Sequence, residues 1–318
     1  MVNFAFKVIP ADNFIWNKKE LLDFLIVNQN QPIELSTSQE GCCCKAIGLY
    51  QLLEQFNYQQ VTIYTANPIE QHDKFKIVVH LPWKFLSIKN KIDPELHQWT
   101  RTKIFGTVFG RPLWHRIGIV SHLQTNYCNQ SSLGFFSDPH NVDMRELFET
   151  QQLFQNNVQS FVNFANVLEC FPMRHLEVDE YTPGQLLTDG YVDQTKKIYQ
   201  DFLVDIVAEP FTTGNCFFVT EKTVRPMLLK KPMIAMASKN HLVYLRQMGF
   251  RTFGDFWDED YDGYEGTERY ARIIKLIDQL AERNIDELES MYWDMQYTLD
   301  HNYNLLMHQQ YKKTIYPL

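Results

Sequence analysis

The sequence predicts an α/β protein made of two units, each built on a parallel sheet, with helices at the carboxyl end. Three observations carry that expectation. The 318 residues are 45% hydrophobic, enough to fill two cores. Short apolar runs alternate with amphipathic stretches at helical spacing. The apolar runs of the second half, such as Phe202-Leu203-Val204-Asp205-Ile206-Val207-Ala208, are nearly continuous, as in a parallel sheet covered on both faces.

Taken in order, residues 31–36 read as a strand, followed by a loop at Glu40-Gly41 and a helix with apolar positions Ala46, Leu49, Leu52, Leu53 and Phe56. Val61-Thr62-Ile63-Tyr64-Thr65 is β-branched and aromatic, and it stops at the loop signal Asn67-Pro68. Further strands are expected at 76–81 and 103–108, and a helix from Pro112 to Leu123 has its proline in the first turn. Residues 144–167 carry a helical pattern that leads out of the first unit. The second half reads as helix 194–200, strand 202–208, helix 222–229, strand 233–237 and helix 241–248, before long helices over 267–311. The expected division is an acceptor-side unit over 1–168, a ligand-binding unit over 169–290, and a terminal helix over 291–318 that packs back on the first unit.

Composition narrows the function. A net charge of -8 and a pI near 5.7 argue against coating nucleic acid through a general positive field. The amino terminus has no long apolar stretch before a small-residue cleavage site, and no segment approaches 18 uninterrupted apolar residues, so a cytoplasmic protein without a membrane span is expected. Cys42, Cys43 and Cys44 are consecutive while Cys128, Cys170 and Cys216 are isolated, which fits small packed thiols better than a disulfide ladder or zinc knuckles. The acidic run Asp255, Asp258, Glu259, Asp260 and Asp262 lacks a glycine-centred calcium loop and reads as a solvated loop; no metal is expected. Phosphate-loop, nucleophile-elbow and Gly-x-Gly-x-x-Gly patterns are all missing.

The chemistry-bearing residues cluster at two junctions. In Phe218-Val219-Thr220-Glu221-Lys222-Thr223-Val224-Arg225-Pro226, Thr220 suits an N-cap, so free N–H groups and the helix dipole would favour an anion there. Lys222 adds a point charge for a diphosphate, and Glu221 can accept from ribose hydroxyls. Arg225 and the earlier carboxylate Glu209, at a strand end, join the group. The same spacing fits a charged capping turn on an ordinary surface helix. The second junction is Gly110-Arg111-Pro112-Leu113-Trp114-His115-Arg116, where Arg111 and Arg116 offer forked donors to phosphate oxygens, or else sit on a solvated turn over Trp114.

The stretch from Val207 to Asp262 resembles the carboxyl-terminal nucleotide-sugar domain of fucosyltransferase-like GT-B glycosyltransferases, closest to a viral and bacterial branch. The resemblance is carried by Ala208-Glu209-Pro210, the Thr220-Glu221-Lys222 turn, Lys231-Pro232-Met233-Ile234, residues 245–253 and Asp258-Glu259-Asp260-Tyr261-Asp262. It covers about 55 residues well, and Met227-Leu228-Leu229-Lys230-Lys231-Pro232 departs from the alanine-rich, glycine-containing helix end usual in that family. The Arg111–Arg116 segment is similar to an arginine-containing segment of the same branch. The resemblance implies two Rossmann-like domains facing a cleft and transfer of a sugar from a nucleoside diphosphate to an acceptor hydroxyl, with no cofactor or metal. By resemblance Lys222 neutralises the diphosphate and Glu221 meets the ribose.

An inverting transfer needs a general base near the acceptor hydroxyl. Glu40 is the first candidate, with Asp138 and His140 in Ser137-Asp138-Pro139-His140 the second; each also reads as a loop or capping residue. A glycan is the expected acceptor. A hydroxymethylated base in phage-type DNA and a non-catalytic nucleotide-sugar-binding module are the alternatives, and oligomeric state is left open.

Overall fold

The computed structural model describes residues 2–9, 14–15, 17–37, 41–80, 86, 99–135, 158–173, 175 and 192–318. Its strands are β1 (Val2–Ala5), β2 (Val8–Ile9), β3 (Phe14–Ile15), β4 (Ile33–Ser36), β5 (Val61–Thr65), β6 (Lys76–Val79), β7 (Lys103–Phe109), β8 (Ser131–Phe135), β9 (Phe202–Ala208) and β10 (Met233–Met236). The helices are α1 (Lys18–Val27), α2 (Leu49–Gln55), α3 (Trp114–Tyr127), α4 (Val158–Val167), α5 (Val192–Asp201), α6 (Glu221–Leu228), α7 (His241–Met248), α8 (Gly266–Ala281), α9 (Ile285–Asp294) and α10 (Gln296–Met307). The fold is α/β, with two four-stranded parallel sheets flanked by helices.

The first sheet has the order β1-β4-β5-β6. Its side chains alternate as the pleat dictates: Ile33, Leu35, Val61 and Ile63 are buried, whereas Glu34, Ser36, Thr62 and Tyr64 are half-exposed. The buried face packs on Leu21 and Leu25 of α1 and on Leu49 and Leu53 of α2. Phe211, Cys216 and Phe218 enter the same core from the segment after β9.

The second sheet has the order β10-β9-β7-β8. The strand at Lys103–Phe109, grouped with the first half by the sequence, pairs with Phe202–Ala208 instead, and the membership of the described strands changes between Val79 and Lys103. Buried side chains on nearly every position explain this: β7 and β9 need cover on both faces, and only neighbours in a central position supply it. Among the described helices, α3 carries α4 on one side, α6 carries α10, and α8 packs against α3 and β10. Helix α10 therefore lies on the second unit, while Tyr311 beyond it donates to the Leu86 carbonyl (3.4 Å) and Trp99 meets Tyr292 of α9. Among the described residues no helix is long and apolar enough to cross a membrane.

The expected strands at 61–65 and 202–208 and the helix at 241–248 keep their bounds. Residues 144–157 of the expected helical stretch lie outside the described residues. The sequence reading passed over β1, α1 and β8.

Candidate functional site

The strand order of the second sheet reverses between β7 and β9: the chain runs from β7 outward to β8, then returns to β7's other side for β9 and β10. In open parallel sheets such a reversal opens a crevice at the carboxyl ends of the two strands, because their following helices lie on opposite faces. Here the strands part before they end. Pairing of β7 with β9 runs from Lys103–Phe202 to Gly106–Asp205, although both strands continue, to Phe109 and Ala208.

Two arginines fill the gap, and they do so reciprocally. Arg116, in the first turn of α3 after β7, donates through Nη2 (2.8 Å) and Nε (3.2 Å) to the Ala208 carbonyl at the end of β9. Arg225, on α6 after β9, donates through Nη2 to the Val108 carbonyl of β7 (3.2 Å). Each guanidinium thereby satisfies a strand-end carbonyl that the parted partner strand no longer serves. Arg116 also bonds the Arg111 carbonyl through Nη1 (3.3 Å). Burial, only partly offset by Glu209 and Glu221, pushes Arg116 down to about 10, still charged at neutral pH.

His115 is the second staple. Its Nε2 donates to the Glu209 carbonyl (3.0 Å), since a carbonyl can only accept, and this leaves Nδ1 as a buried acceptor with no partner. Burial, with help from Arg116 and Lys222, holds it well below the ordinary histidine range, so it is neutral.

Glu209 is 1% exposed and its carboxylate is committed. Oε1 accepts from the Thr220 N–H (3.1 Å) and the Thr223 hydroxyl (2.6 Å), and Oε2 from the Thr220 hydroxyl (2.5 Å). It fixes the start of α6 from below. Thr220 is the N-cap of that helix, its hydroxyl accepting from Lys222 N–H (3.3 Å), as its place in the sequence predicts. Above it, Lys222 Nζ reaches Glu221 Oε1 (2.7 Å) and Thr220 Oγ1 (3.1 Å). The Lys222 and Glu221 side chains keep 13% and 18% of their surface. Burial and Arg116 lower the Lys222 ammonium; burial raises Glu221, but Lys222 and Arg225 outweigh it and hold the carboxyl below its ordinary value.

The structure thus brings Arg116, Glu209, Thr220, Glu221, Lys222 and Arg225 together at one strand-end crevice, with Arg111 exposed at its edge. Two layers result. Glu209, Arg116 and Arg225 hold backbone; Glu221, Lys222 and Arg111 retain surface for a ligand. Glu40, Asp138 and His140 lie outside the described residues.

The acidic run is solvated only in part: Asp255, Asp258 and Asp260 are exposed as expected, whereas Glu259 and Asp262 are drawn in. Asp262 is buried and accepts from Leu242 and Val243 N–H at the start of α7 and from Arg269 (3.1 Å). Glu259 accepts from Thr252 and the Phe253 N–H, and Asp260 pairs with Arg272. Asp262 and Glu259 turn inward because a helix start, a loop N–H and the guanidinium groups of Arg269 and Arg246 need them. Among the described residues no group of three or more His, Cys, Asp or Glu is placed to hold a metal ion. All six cysteines are free, with Cys42, Cys43, Cys44 and Cys216 buried and Cys128 and Cys170 exposed.

The sequence reading also passed over Asn67 as more than a loop signal. Its amide donates to Glu70 Oε2 and the Asn215 carbonyl (both 3.0 Å), and its oxygen accepts from Phe217 N–H (3.1 Å), tying the loop after β5 to the segment after β9. The signal was present, since Asn before Pro in a loop is also a residue whose side chain serves nearby backbone. A cavity of about 890 Å³ opens at the opposite, amino end of the second sheet, beside Lys103, Ser131 and Asp201. The strand-end crevice is the better site on topology, because the reversal falls at the carboxyl edge.

No family model matches the chain, and no curated protein matches it. Among solved structures it is similar to an α,α-trehalose-phosphate synthase (UDP-forming) from Burkholderia xenovorans in complex with glucose-6-phosphate, at 9% identity and a TM-score of 0.34, over 92% of this chain and 75% of that one.

Proposed function

We propose that the protein is a fucosyltransferase-like GT-B glycosyltransferase that moves a sugar from a nucleoside-diphosphate sugar to an acceptor hydroxyl, with inversion and with a glycan as acceptor. One observation carries the reading: at the parted ends of β7 and β9, the half-buried Lys222–Glu221 pair sits on a Thr220-capped helix start, above Arg116 and beside Arg111. Helix N–H groups and the four cations Arg111, Arg116, Lys222 and Arg225 against the two carboxylates Glu209 and Glu221 favour an anion at this edge. Lys222 and Arg111 offset the charge that grows on the leaving diphosphate, and Glu221 accepts from the ribose hydroxyls. Arg116, Arg225 and Glu209 act one layer down by keeping this edge rigid. Donor binding belongs to the second sheet and the acceptor approaches from the first, with Glu40, Asp138 or His140 as the base that takes its proton. No metal enters the reaction, and the enzyme works in the cytoplasm of a bacterial or virus-infected cell.

Isothermal calorimetry with UDP-, GDP- and ADP-sugars tests this. One of them is expected to bind, and Lys222→Ala to weaken it about tenfold or more, the effect of losing a charged hydrogen-bond partner. Binding of none of the panel to the intact protein sinks the proposal. Binding without transfer, or without slow hydrolysis of the donor, reduces the protein to a nucleotide-sugar-binding module.

A further inference from the structure

A second polar cavity lies at the carboxyl edge of the first sheet, where the loops after β4 and β5 meet the segment after β9. It measures about 410 Å³, within the ~300–1,000 Å³ range of small-ligand clefts. Its floor is Glu70, a carboxylate set among supporting donors. Oε1 accepts from the Tyr50 hydroxyl, and Oε2 accepts from Cys44 N–H (3.1 Å) and the Asn67 amide (3.0 Å). A carboxylate offers about four acceptor positions, so three are filled and one on Oε1 is left.

Beside it stands His72, whose Nδ1 accepts from the Lys74 N–H (3.1 Å) and the Phe75 N–H (3.3 Å). That places the ring hydrogen on Nε2, making His72 a donor at the cavity wall. The ring is stacked on Phe75 (4.5 Å between centroids, 12°) and lies 4.1 Å from Tyr50, so its orientation is fixed by packing. An acceptor on Glu70 next to a donor on His72 matches a hydroxyl, which gives one hydrogen bond and takes another. Gln51, Gln71 and Asn215 on the rim are likewise both donors and acceptors.

Charge excludes the competing ligand classes. Glu54 and Glu70 face Lys45 alone among the lining residues, and Glu54 is further engaged by Lys74 (3.3 Å), so the cavity offers no excess of cations to a phosphate or a carboxylate.

We infer that this cavity binds a neutral sugar ring, one of whose hydroxyls is held between Glu70 and His72. Burial raises the Glu70 carboxyl, in keeping with a group that takes up a hydroxyl proton readily. Asn67 joins the two sites: it bonds Glu70 on one side and the Phe217 N–H on the other, three residues before the Thr220 cap. Only the assignment of this sugar as the acceptor rests on the transferase reading. In that role its hydroxyl oxygen bonds to the anomeric carbon of the donor, the bond from that carbon to the diphosphate oxygen breaks with the electron pair leaving on the diphosphate, and Glu70, in place of Glu40, Asp138 or His140, takes the hydroxyl proton.

Saturation-transfer NMR on the full chain, with a panel of methyl glycosides of neutral hexoses and no nucleotide present, tests the inference. Ring-proton signals are expected for at least one glycoside. Glu70→Gln, which keeps the volume and an oxygen for Cys44 N–H and the Asn67 amide while turning its amide N–H toward the Tyr50 hydroxyl, should weaken that glycoside about tenfold. Asn215→Trp, an exposed position whose backbone carbonyl still serves Asn67, should abolish the signal by filling the cavity while leaving the thermal unfolding midpoint in place. Silence across the panel with wild type overturns the inference, as does equal binding by wild type and Asn215→Trp. Nucleotide titrations on wild type are read separately. Glycoside binding without nucleotide binding would retain the sugar site and remove the transferase, and nucleotide binding without glycosides would do the reverse.

Discussion

The two sheets solve the same packing problem differently. The first follows chain order from edge to edge and alternates buried with half-exposed side chains. The second reverses at β7/β9, is buried across β9, and keeps Asp205, Arg116, Arg225, Arg269 and Lys231 inside. A sheet without a reversal can be stable on apolar contacts alone. A sheet with one has parted strand ends to satisfy, and this chain satisfies them with buried cations.

Four experiments test that contrast, beginning with the largest effect. Arg269 is wholly buried and serves the carbonyls of Ala235 and Ser238 as well as Asp262. Arg269→Ala should cost about 3–5 kcal/mol in urea unfolding, while Lys76→Ala on the exposed edge strand of the first sheet should stay within about 0.5 kcal/mol. Equal losses would erase the distinction. Next, a methyl added at Gly106 of β7 would meet the Phe202 ring at 2.3 Å, so Gly106→Ala is expected to lose about 1–3 kcal/mol. A wild-type midpoint for that variant would mean the second sheet is looser than its burial implies.

Acid should act on the second unit. Burial depresses His175 to about 4 and His241 to about 3, so their contribution is intact above pH 6.5 and is lost as pH falls toward those values, where only the unfolded chain takes the protons. Asp205 opposes them. Burial raises it to about 6 despite Arg225 and the Tyr199 hydroxyl, so its contribution is full below pH 3.8 and is lost as pH rises through 6. Stability should therefore fall from pH 6.5 to 4, and Asp205→Asn should steepen that fall; an unchanged slope in urea titrations across this range would contradict the assignment. Smallest of all, Thr62→Val on the half-exposed face of the first sheet should shift stability by no more than about 0.5 kcal/mol.

What could be read from the sequence follows the same divide. A β-branched and aromatic run ended by Asn67-Pro68 located β5, and a continuous apolar run located β9, because each pattern is local. Strand β8 escaped because Ser131-Ser132-Leu133-Gly134-Phe135 has little strand propensity; it is held by pairing with β7 and by His175, whose ring occupies the space a Gly134 side chain would need. The Thr220 cap was legible, since a cap and its helix are neighbours in sequence. The work of Glu209, Arg116 and Arg225 was not. The arginine contacts cross from one strand end to the helix after another, over 92 residues for Arg116 and 117 for Arg225, and Glu209 reaches 11 to 14 residues on across an irregular segment, so no local pattern encodes them. Asn67 was missed for the same reason, since its partner segment lies 148 residues on, and Glu70 because its donors Cys44 and Tyr50 stand 26 and 20 residues back.

The intrusion of Phe211, Cys216 and Phe218 into the first core bears on how the chain is made. Gly41 is bare where the Phe218 ring lies, with a would-be Cβ only 2.4 Å from it, so the first sheet is shaped around a part delivered late. Residue 218 leaves the ribosome about 140 residues after β6, an interval of roughly 7–30 s at ~5–20 residues per second. For that time the nascent first unit carries an apolar socket open to water, and a chaperone or the emerging second sheet must shield it until the plug arrives.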